Sequence, residues 1–137
     1  MFDFSTLITD RTAADVAAMT GKGCYNYSDL NRVGSAAAEI AGRLNALGYA
    51  CQVTARTTWS ESDTPTASQM EAYRADIVTL RGMIAMLAET PETPGTMGRL
   101  TYKGANAIEQ ILADLDFLIT NMAQAWFYSG EIYAGET

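Results

Sequence analysis

Carboxylates are the side chains of this sequence that come closest to a catalytic pattern. Asp114 and Asp116 are separated by a single residue, and Glu109 lies about two helical turns before Asp116. Two carboxylates can serve as general acid and general base, as they do in glycoside hydrolases. Residues 114 and 116 would point to different sides of a helix, so we interpret these groups as parts of a solvated helix face.

The sequence contains no histidine, which excludes Ser-His and Cys-His nucleophile pairs and histidine metal ligands. Cys24 and Cys51 flank a predicted helix roughly 33 Å long, whereas a disulfide needs Cα atoms within about 7 Å. The segment Gly21-Lys22-Gly23 lacks the spacing of a phosphate-binding loop. We therefore expect no disulfide between the cysteines, no enzymatic activity, no cofactor and no bound metal.

The chain has 137 residues and a formal net charge of -7. An acidic surface repels phosphate, so we expect no direct binding to nucleic acid. No apolar run is long enough to span a membrane, and the N-terminus lacks the pattern of a signal peptide. We expect no membrane association, and a single domain over 1–137 with an extended N-terminal arm at 1–9.

Apolar residues recur at alternating gaps of three and four along three stretches, the spacing of helices packed side by side. The stretches run from Leu30 to Leu47, from Met70 to Leu87 and from Ala105 to Trp126. This periodicity predicts a mainly α fold, a helical bundle of three long helices. A short N-terminal helix and a minor β-strand or hairpin element complete the prediction.

Helix starts are marked by capping boxes, in which a cap side chain and one three residues later bond each other's backbone amides. Such pairs are Thr12 with Asp15 and Asn26 with Asp29. For the third helix two starts remain open, Thr64 followed by Pro65, or Thr66 paired with Gln69. The remaining boundaries are an end of the second helix at Gly48, an end of the third near Ala88, and a fourth helix from Thr101 to Trp126 or Phe127.

Residues 49–59 alternate with a period of two and are predicted to form a strand. A single strand leaves backbone groups unpaired, so we expect a mate in the N-terminal arm, the C-terminal tail or another subunit. The second helix is rich in small residues that let another backbone approach closely, either within the chain or between subunits. These residues are Gly34, Ala36, Ala37, Ala38, Ala41 and Gly42.

Charges beside the last two stripes suggest how those helices pair. In an antiparallel hairpin with Tyr73 opposite Ile119, a single register places an arginine beside an acidic residue at two positions. The predicted ion pairs are Arg74 with Asp116 and Arg81 with Glu109.

The C-terminal segment 127–137 is dense in aromatic residues broken by glycines, which is typical of an extended tail that docks on its own bundle or on a neighbouring chain. The predicted interface includes Asn31 and Arg32, which lie off the apolar seam of the second helix, and Trp59 of the predicted strand. From the end of the fourth helix and the tail it includes Trp126, Phe127, Tyr128, Ile132 and Tyr133.

Four segments together resemble a family of small proteins carried by phages and prophages of Gram-positive gut bacteria and encoded among tail and other virion structural genes. The segments are Thr9–Val16, Tyr25–Val33, Asp63–Met70 and Gly130–Glu136. The chain departs from the family in having Gly34 where a larger residue is expected, and in lacking an acidic stretch before the second helix.

The resemblance implies a non-enzymatic virion protein of the tail or baseplate region, assembled in the bacterial cytoplasm. It would form a homo-oligomer and dock on other phage structural proteins. An alternative of another class is a small acidic phage protein that inhibits a bacterial defence component, by binding a host protein or by sequestering a small ligand. A ligand pocket would be lined by aromatic and basic residues, for which Arg56, Trp59, Tyr73 and Arg74 are the candidates.

Overall fold

The computed structural model describes residues 2–20, 23, 25–98 and 100–136, with side chains described as far as Ala125. A 3₁₀ turn at Phe4–Thr6 lies in the N-terminal arm. The helices that follow are α1 (Ala13–Ala17), α2 (Tyr27–Ala46), α3 (Ala67–Arg81) and α4 (Tyr102–Glu136). The fold is mainly α, as predicted. No β-strand is assigned within the described ranges.

The helix starts follow the local capping signals. Complete capping boxes join Thr12 to Asp15, Asn26 to Asp29 and Thr66 to Gln69. The third of these decides between the two starts that the sequence left open for α3. At the start of α4, the Thr101 hydroxyl accepts a hydrogen bond at 3.1 Å from the Gly104 amide. Each cap satisfies backbone donors that have no partner inside the helix.

One helix end agrees with the sequence and another does not. Helix α2 stops before Gly48, whose φ of 98° lies in the left-handed region that glycine adopts readily. Helix α3 ends at Arg81, well before the predicted Ala88. The chain turns back here, and the Arg81 guanidinium donates to the carbonyls of Pro91 at 3.0 Å and Thr90 at 3.3 Å.

Helices α2 and α4 run parallel. Near the start of α2, Arg32 Nε lies 2.6 Å from Glu109 Oε1. Near its end, Arg43 Nη1 lies 2.5 Å from Asp116 Oδ1. The residue later in α2 pairs with the residue later in α4. The two helices therefore have the same direction.

Long connections between the helices make this parallel arrangement possible. The first connector, residues 47–66, runs back along α2, so that Cys51 contacts Asn45 near the end of α2 and Trp59 contacts Asn31 near its start. Helix α3 therefore begins beside the start of α2.

The second connector, residues 82–101, returns along α3 in the same way. Arg81 at the end of α3 donates to the Pro91 carbonyl. Arg74, about two turns nearer the start of α3, donates to the Pro94 carbonyl at 2.6 Å. Helix α4 thus also starts at the same end of the bundle. The predicted antiparallel hairpin between the third and fourth helices is wrong, because each connector is long enough to retrace the preceding helix.

The core lies between these parallel helices and the first connector. It continues beneath the N-terminal arm, where Phe2, Phe4 and Leu7 pack against it. Burial of each large apolar side chain stabilises the fold by roughly 1.5–3 kcal/mol. The largest fully buried apolar side chains are Val33, Ile40, Leu44, Ile77, Leu80, Ile108, Ile111, Leu112, Leu115 and Ile119.

Helix α4 is much longer than its neighbours, with 35 residues against 20 in α2 and 15 in α3. Its backbone remains helical to Glu136, so the prediction of an extended tail is wrong for the backbone of residues 127–136. The side chains of Trp126, Phe127, Tyr128, Ile132 and Tyr133 lie outside the described residues, and their docking stays a prediction. No helix in the described part is both long and apolar enough to cross a bilayer.

Candidate functional site

A buried ionic cluster joins the N-terminal arm to α2 and α4. The fully buried Glu109 carboxylate accepts from Arg11 Nη2 at 2.5 Å and from Arg32 Nε at 2.6 Å. It also accepts from the Ile8 amide at 3.0 Å. Asp29 accepts from Arg32 Nη2 at 2.5 Å, and its distance to Arg11 Nη2 is 3.4 Å. Two guanidinium groups thus balance two carboxylates that would be costly to bury alone.

The arm is also fastened by a side-chain amide. Asn106 Oδ1 accepts from the Arg11 backbone amide at 3.0 Å, and Asn106 Nδ2 donates to the Arg11 carbonyl at 2.9 Å. The Arg11 backbone thus donates one bond and accepts one, as a residue does in a β-ladder. Arg11 is therefore held through both its backbone and its guanidinium group.

Two tyrosine hydroxyl groups meet beside this cluster. Tyr25 lies just before α2 and Tyr73 lies on α3, and their hydroxyl oxygens are hydrogen-bonded to each other. Burial raises the pKa of both phenols, and the nearby carboxylates of Glu109 and Asp29 raise it further. At Arg32, burial lowers the pKa, but hydrogen bonds to Glu109 and Asp29 outweigh it and the net shift is upward.

The predicted ion pairs between the third and fourth helices do not form. Glu109 is paired with Arg11 and Arg32, while Arg81 Nη2 lies 3.4 Å from Glu92. Arg74 pairs with Glu71 at 3.0 Å, and Asp116 pairs with Arg43. The parallel direction of α3 and α4 removes the register on which both predictions depended.

The first connector is held by side chains of the helices in place of a neighbouring strand. Near its start, the amide of Asn45 donates to the Cys51 carbonyl at 2.7 Å and accepts from the Cys51 amide at 3.1 Å. Near its end, Asn31 makes the same two bonds with the Trp59 backbone, both at 2.8 Å. The prediction of a strand over residues 49–59 is wrong, because the backbone here bonds helix side chains and forms no ladder with a second strand.

Between these two amides, a carboxylate holds the middle of the connector. Asp76 on α3 accepts from the Thr54 amide, the Thr54 hydroxyl and the Ala55 amide, all at 2.9 Å. Like Asn31 and Asn45, it satisfies backbone donors that an unpaired extended segment would otherwise leave open.

Three residues of the predicted interface are therefore occupied inside the chain. Asn31 bonds the connector, Arg32 belongs to the ionic cluster, and the Trp59 side chain is buried. Burial leaves the Trp59 side chain little surface for a partner, whereas Asn31 and Arg32 are partly exposed and their contact with a partner stays a prediction.

A cavity of about 200 Å³ lies between α2, the first connector and α3. Three of the four residues proposed for a ligand pocket line it, namely Arg56, Trp59 and Tyr73. The fourth, Arg74, donates to Pro94 on the second connector. The Arg56 guanidinium lies over the Trp59 ring at 3.8 Å, within the range of a cation–π contact.

Close backbone packing positions the wall of this cavity. A Cβ atom at Gly34 would lie 2.2 Å from the Arg56 carbonyl oxygen, so α2 meets the connector at a distance that only glycine permits. The approach predicted for the small residues of α2 therefore occurs within the chain at Gly34. Next to it, Ala55 has a φ of 35°, a backbone strain of about 1–3 kcal/mol for such a residue.

The carboxylates first considered for catalysis are engaged separately. Asp114 accepts from the Thr90 hydroxyl at 2.6 Å and from Gln110 Nε2 at 2.8 Å, whereas Asp116 pairs with Arg43. Among the described residues, no group of His, Cys, Asp or Glu side chains is arranged to hold a metal ion.

The cysteines fall into two cases. Cys51 is a buried free thiol, and burial raises its pKa, with the Asp76 charge adding to the effect. Cys24 lies outside the described residues.

No protein-family model, curated protein or solved structure matches the chain.

Sequence reasoning missed the roles of Arg11, Asn45, Asp76 and Asn106, and it placed Glu109 on a solvated face. One signal was present, since Asn45, Asp76 and Asn106 are polar residues close to the apolar seams of their helices. Such positions favour a buried hydrogen-bond partner. The identity of that partner depends on the course of the connectors.

Proposed function

We propose that this chain is a non-enzymatic structural protein of a phage virion, located in the tail or baseplate region. In this proposal it works by self-association and by docking on neighbouring virion proteins. The family resemblance of four sequence segments suggests the virion, and the length of α4 supplies the structural argument for association.

Helix α4 continues beyond the end of α2. Arg43, in the last turn of α2, contacts Asp116 and Thr120 of α4. Helix α4 continues from there to Glu136, so roughly 24 Å of helix lies beyond its last contact with Arg43. Ala123, Gln124 and Ala125 at the start of this part are exposed.

The sequence of this projecting part is rich in large apolar residues, including Trp126, Phe127 and Ile132. A helix that extends beyond its bundle and carries large apolar residues is suited to pack against another subunit. This projection of α4 is the observation that carries the proposal.

The assembly proposal is tested by light scattering on the purified full-length protein. We expect a homo-oligomer whose mass falls when Phe127→Ser and Ile132→Ser are combined. A matched control combines Val16→Ser and Met19→Ser, because these apolar residues are also exposed, at 44% and 78%, but lie around α1. A full-length protein that stays monomeric at high concentration would contradict the proposal.

The virion assignment needs its own measurement. Mass spectrometry of purified particles from an infected or induced host should detect peptides of this chain in constant proportion to the known tail proteins. Peptides confined to the cell lysate, with none in the particles, would reject the assignment.

The cavity favours a second candidate, the anti-defence protein that sequesters a small ligand. It brings Arg56, Trp59 and Tyr73 together, as that hypothesis requires. The position of the gene discriminates between the candidates, because a cluster of early genes favours the second and a virion operon favours the first.

A further inference from the structure

The cavity between α2, the first connector and α3 has the size and lining of a small-molecule site. Its volume is about 200 Å³, and its walls include Val33, Ala37, Ala72 and Ile77. An apolar cavity of about 150 Å³ is large enough to bind benzene. Its exposed lining residues Arg56 and Gln69 open it to solvent.

The wall contributed by the connector is held from two sides. Asp76 fixes Thr54 and Ala55 through three hydrogen bonds, all at 2.9 Å. On the other side the Arg56 carbonyl abuts Gly34. Ala55, between these anchors, keeps its left-handed φ of 35°. Backbone strain of this kind persists only where the surroundings hold it, and it clusters at ligand sites.

Polar groups at the cavity narrow the class of ligand. The Asp76 carboxylate is nine-tenths buried, and of its about four acceptor positions three are used by the connector. Its charge disfavours an anionic ligand. The Arg56 guanidinium is already paired with Asp63 at 3.0 Å and covers the Trp59 ring, so it is not free to attract an anion.

We propose that this cavity binds a small, neutral aromatic molecule of one or two rings that carries a single N–H or O–H donor. The ring occupies the apolar space beside Trp59 and Tyr73, and the donor bonds the remaining acceptor position of Asp76. This site is independent of the proposed virion role, since it lies within one chain and away from the projecting part of α4.

Indole is the probe, titrated into the full-length protein by isothermal calorimetry. We expect saturable binding with one molecule per chain. Indene, which has the same shape but no N–H group, should bind several-fold more weakly because Asp76 then gains no hydrogen bond. Equal affinity for indole and indene would overturn the role of Asp76, and the absence of saturation up to the solubility limit would overturn the site.

A cavity-filling variant locates the binding. Ala72→Leu places a larger side chain in the space, and we expect it to weaken indole binding by at least about tenfold. Ala75→Leu is the matched control, since Ala75 is exposed on the same helix and should leave the affinity unchanged. Unaltered affinity in Ala72→Leu would overturn the proposal.

Amide chemical shifts of the unmodified protein give a second measurement that needs no variant. Addition of indole should move the resonances of Ala55, Ala72 and Tyr73 most strongly. Shift changes centred on another part of the chain would contradict the site. Failure of either measurement leaves the oligomer and particle tests of the virion proposal untouched.

Discussion

Glu109 joins three parts of the chain, because its carboxylate accepts bonds from Ile8 and Arg11 of the N-terminal segment and from Arg32 of α2, while its own backbone lies in α4. It is fully buried, and its charge is balanced by two guanidinium groups. Such a cluster gives little net stability compared with an apolar core, but loss of one member leaves the others buried without balance.

Replacement of Glu109 by Gln should therefore lower the free energy of unfolding by about 3–5 kcal/mol. Asp116→Asn is the matched control, because Asp116 is 32% exposed in a single pair with Arg43, and it should cost less than about 1 kcal/mol. Urea denaturation at neutral pH measures both. Equal effects of the two substitutions would show that the cluster is no more than a surface ion pair.

The hydrogen-bonded phenols of Tyr25 and Tyr73 make the free energy of unfolding depend on pH in the alkaline range. Burial raises the pKa of each in the folded state, while a phenol of the unfolded chain titrates near about 10. Folding thus favours the neutral form of each phenol. The resulting contribution to the free energy of unfolding is complete below about pH 10 and is lost as the pH rises above that value.

The variant with both Tyr25→Phe and Tyr73→Phe should lose less stability than the wild type between about pH 9.5 and 11. Both proteins keep Cys51, whose raised pKa acts in a similar alkaline range, so its effect cancels in the comparison. Urea denaturation at several pH values measures the difference. Identical pH profiles would contradict the assignment of the alkaline loss to this pair.

At the scale of the elements, the first connector is the unusual part, because helix side chains provide the bonds that strands usually exchange. Asn31, Asn45 and Asp76 each bond its backbone. The connector also touches α2 backbone to backbone at Gly34. A segment fixed in this way can lie flat against a helix without belonging to a sheet.

Gly34→Ala should destabilise the protein by about 1–3 kcal/mol, since the new methyl group would collide with the Arg56 carbonyl. Gly42→Ala is the matched control on the same helix. Nothing lies within 4 Å of the Cβ position at Gly42, and alanine should stabilise the helix there by up to about 1 kcal/mol. Thermal unfolding of the two variants measures the contrast. A Gly34→Ala protein as stable as the wild type would mean that the connector can move away.

Local signals in the sequence were enough to predict where the helices begin, but they could not predict the long-range packing. The boxes at Thr12, Asn26 and Thr66 depend on neighbouring residues alone and were correct or among the stated alternatives. The apolar stripe through Ile84 and Leu87 overextended α3, because apolar residues of the second connector also pack on the core.

The candidate site could be predicted in part. The residue types of Arg56, Trp59 and Tyr73 suggested a ligand pocket, and the structure brings these three together. Asp76 and Gly34 were missed as parts of it, since their roles require knowing that the connector runs back along α2. Likewise, the charges of Arg81 and Glu109 fit a hairpin register but could not decide the direction of the helices.

For the whole molecule, the parallel direction of α2, α3 and α4 is the defining property. Short loops produce antiparallel neighbours, whereas these helices are joined by connectors that retrace each helix. All of the long helices therefore begin at one end of the bundle, and the projecting part of α4 leaves from the other.

Distances between spin labels at exposed positions test this arrangement. In a protein with Cys24 and Cys51 replaced, we expect a label at Ser68 to lie closer to one at Lys103 than to one at Gln124, which is about 30 Å further along α4. Double electron–electron resonance measures both separations. The reverse order would restore the antiparallel hairpin.

The fastening of the N-terminal arm has a consequence for synthesis of the protein. Arg11 lies 98 residues before Glu109, and Ile8 lies 101 residues before it. The arm therefore leaves the ribosome about 100 residues before the carboxylate that receives it. Contacts of such long sequence separation slow folding relative to bundles built from local hairpins, so the arm can reach its native position only after Glu109 and the helices before it have been synthesised.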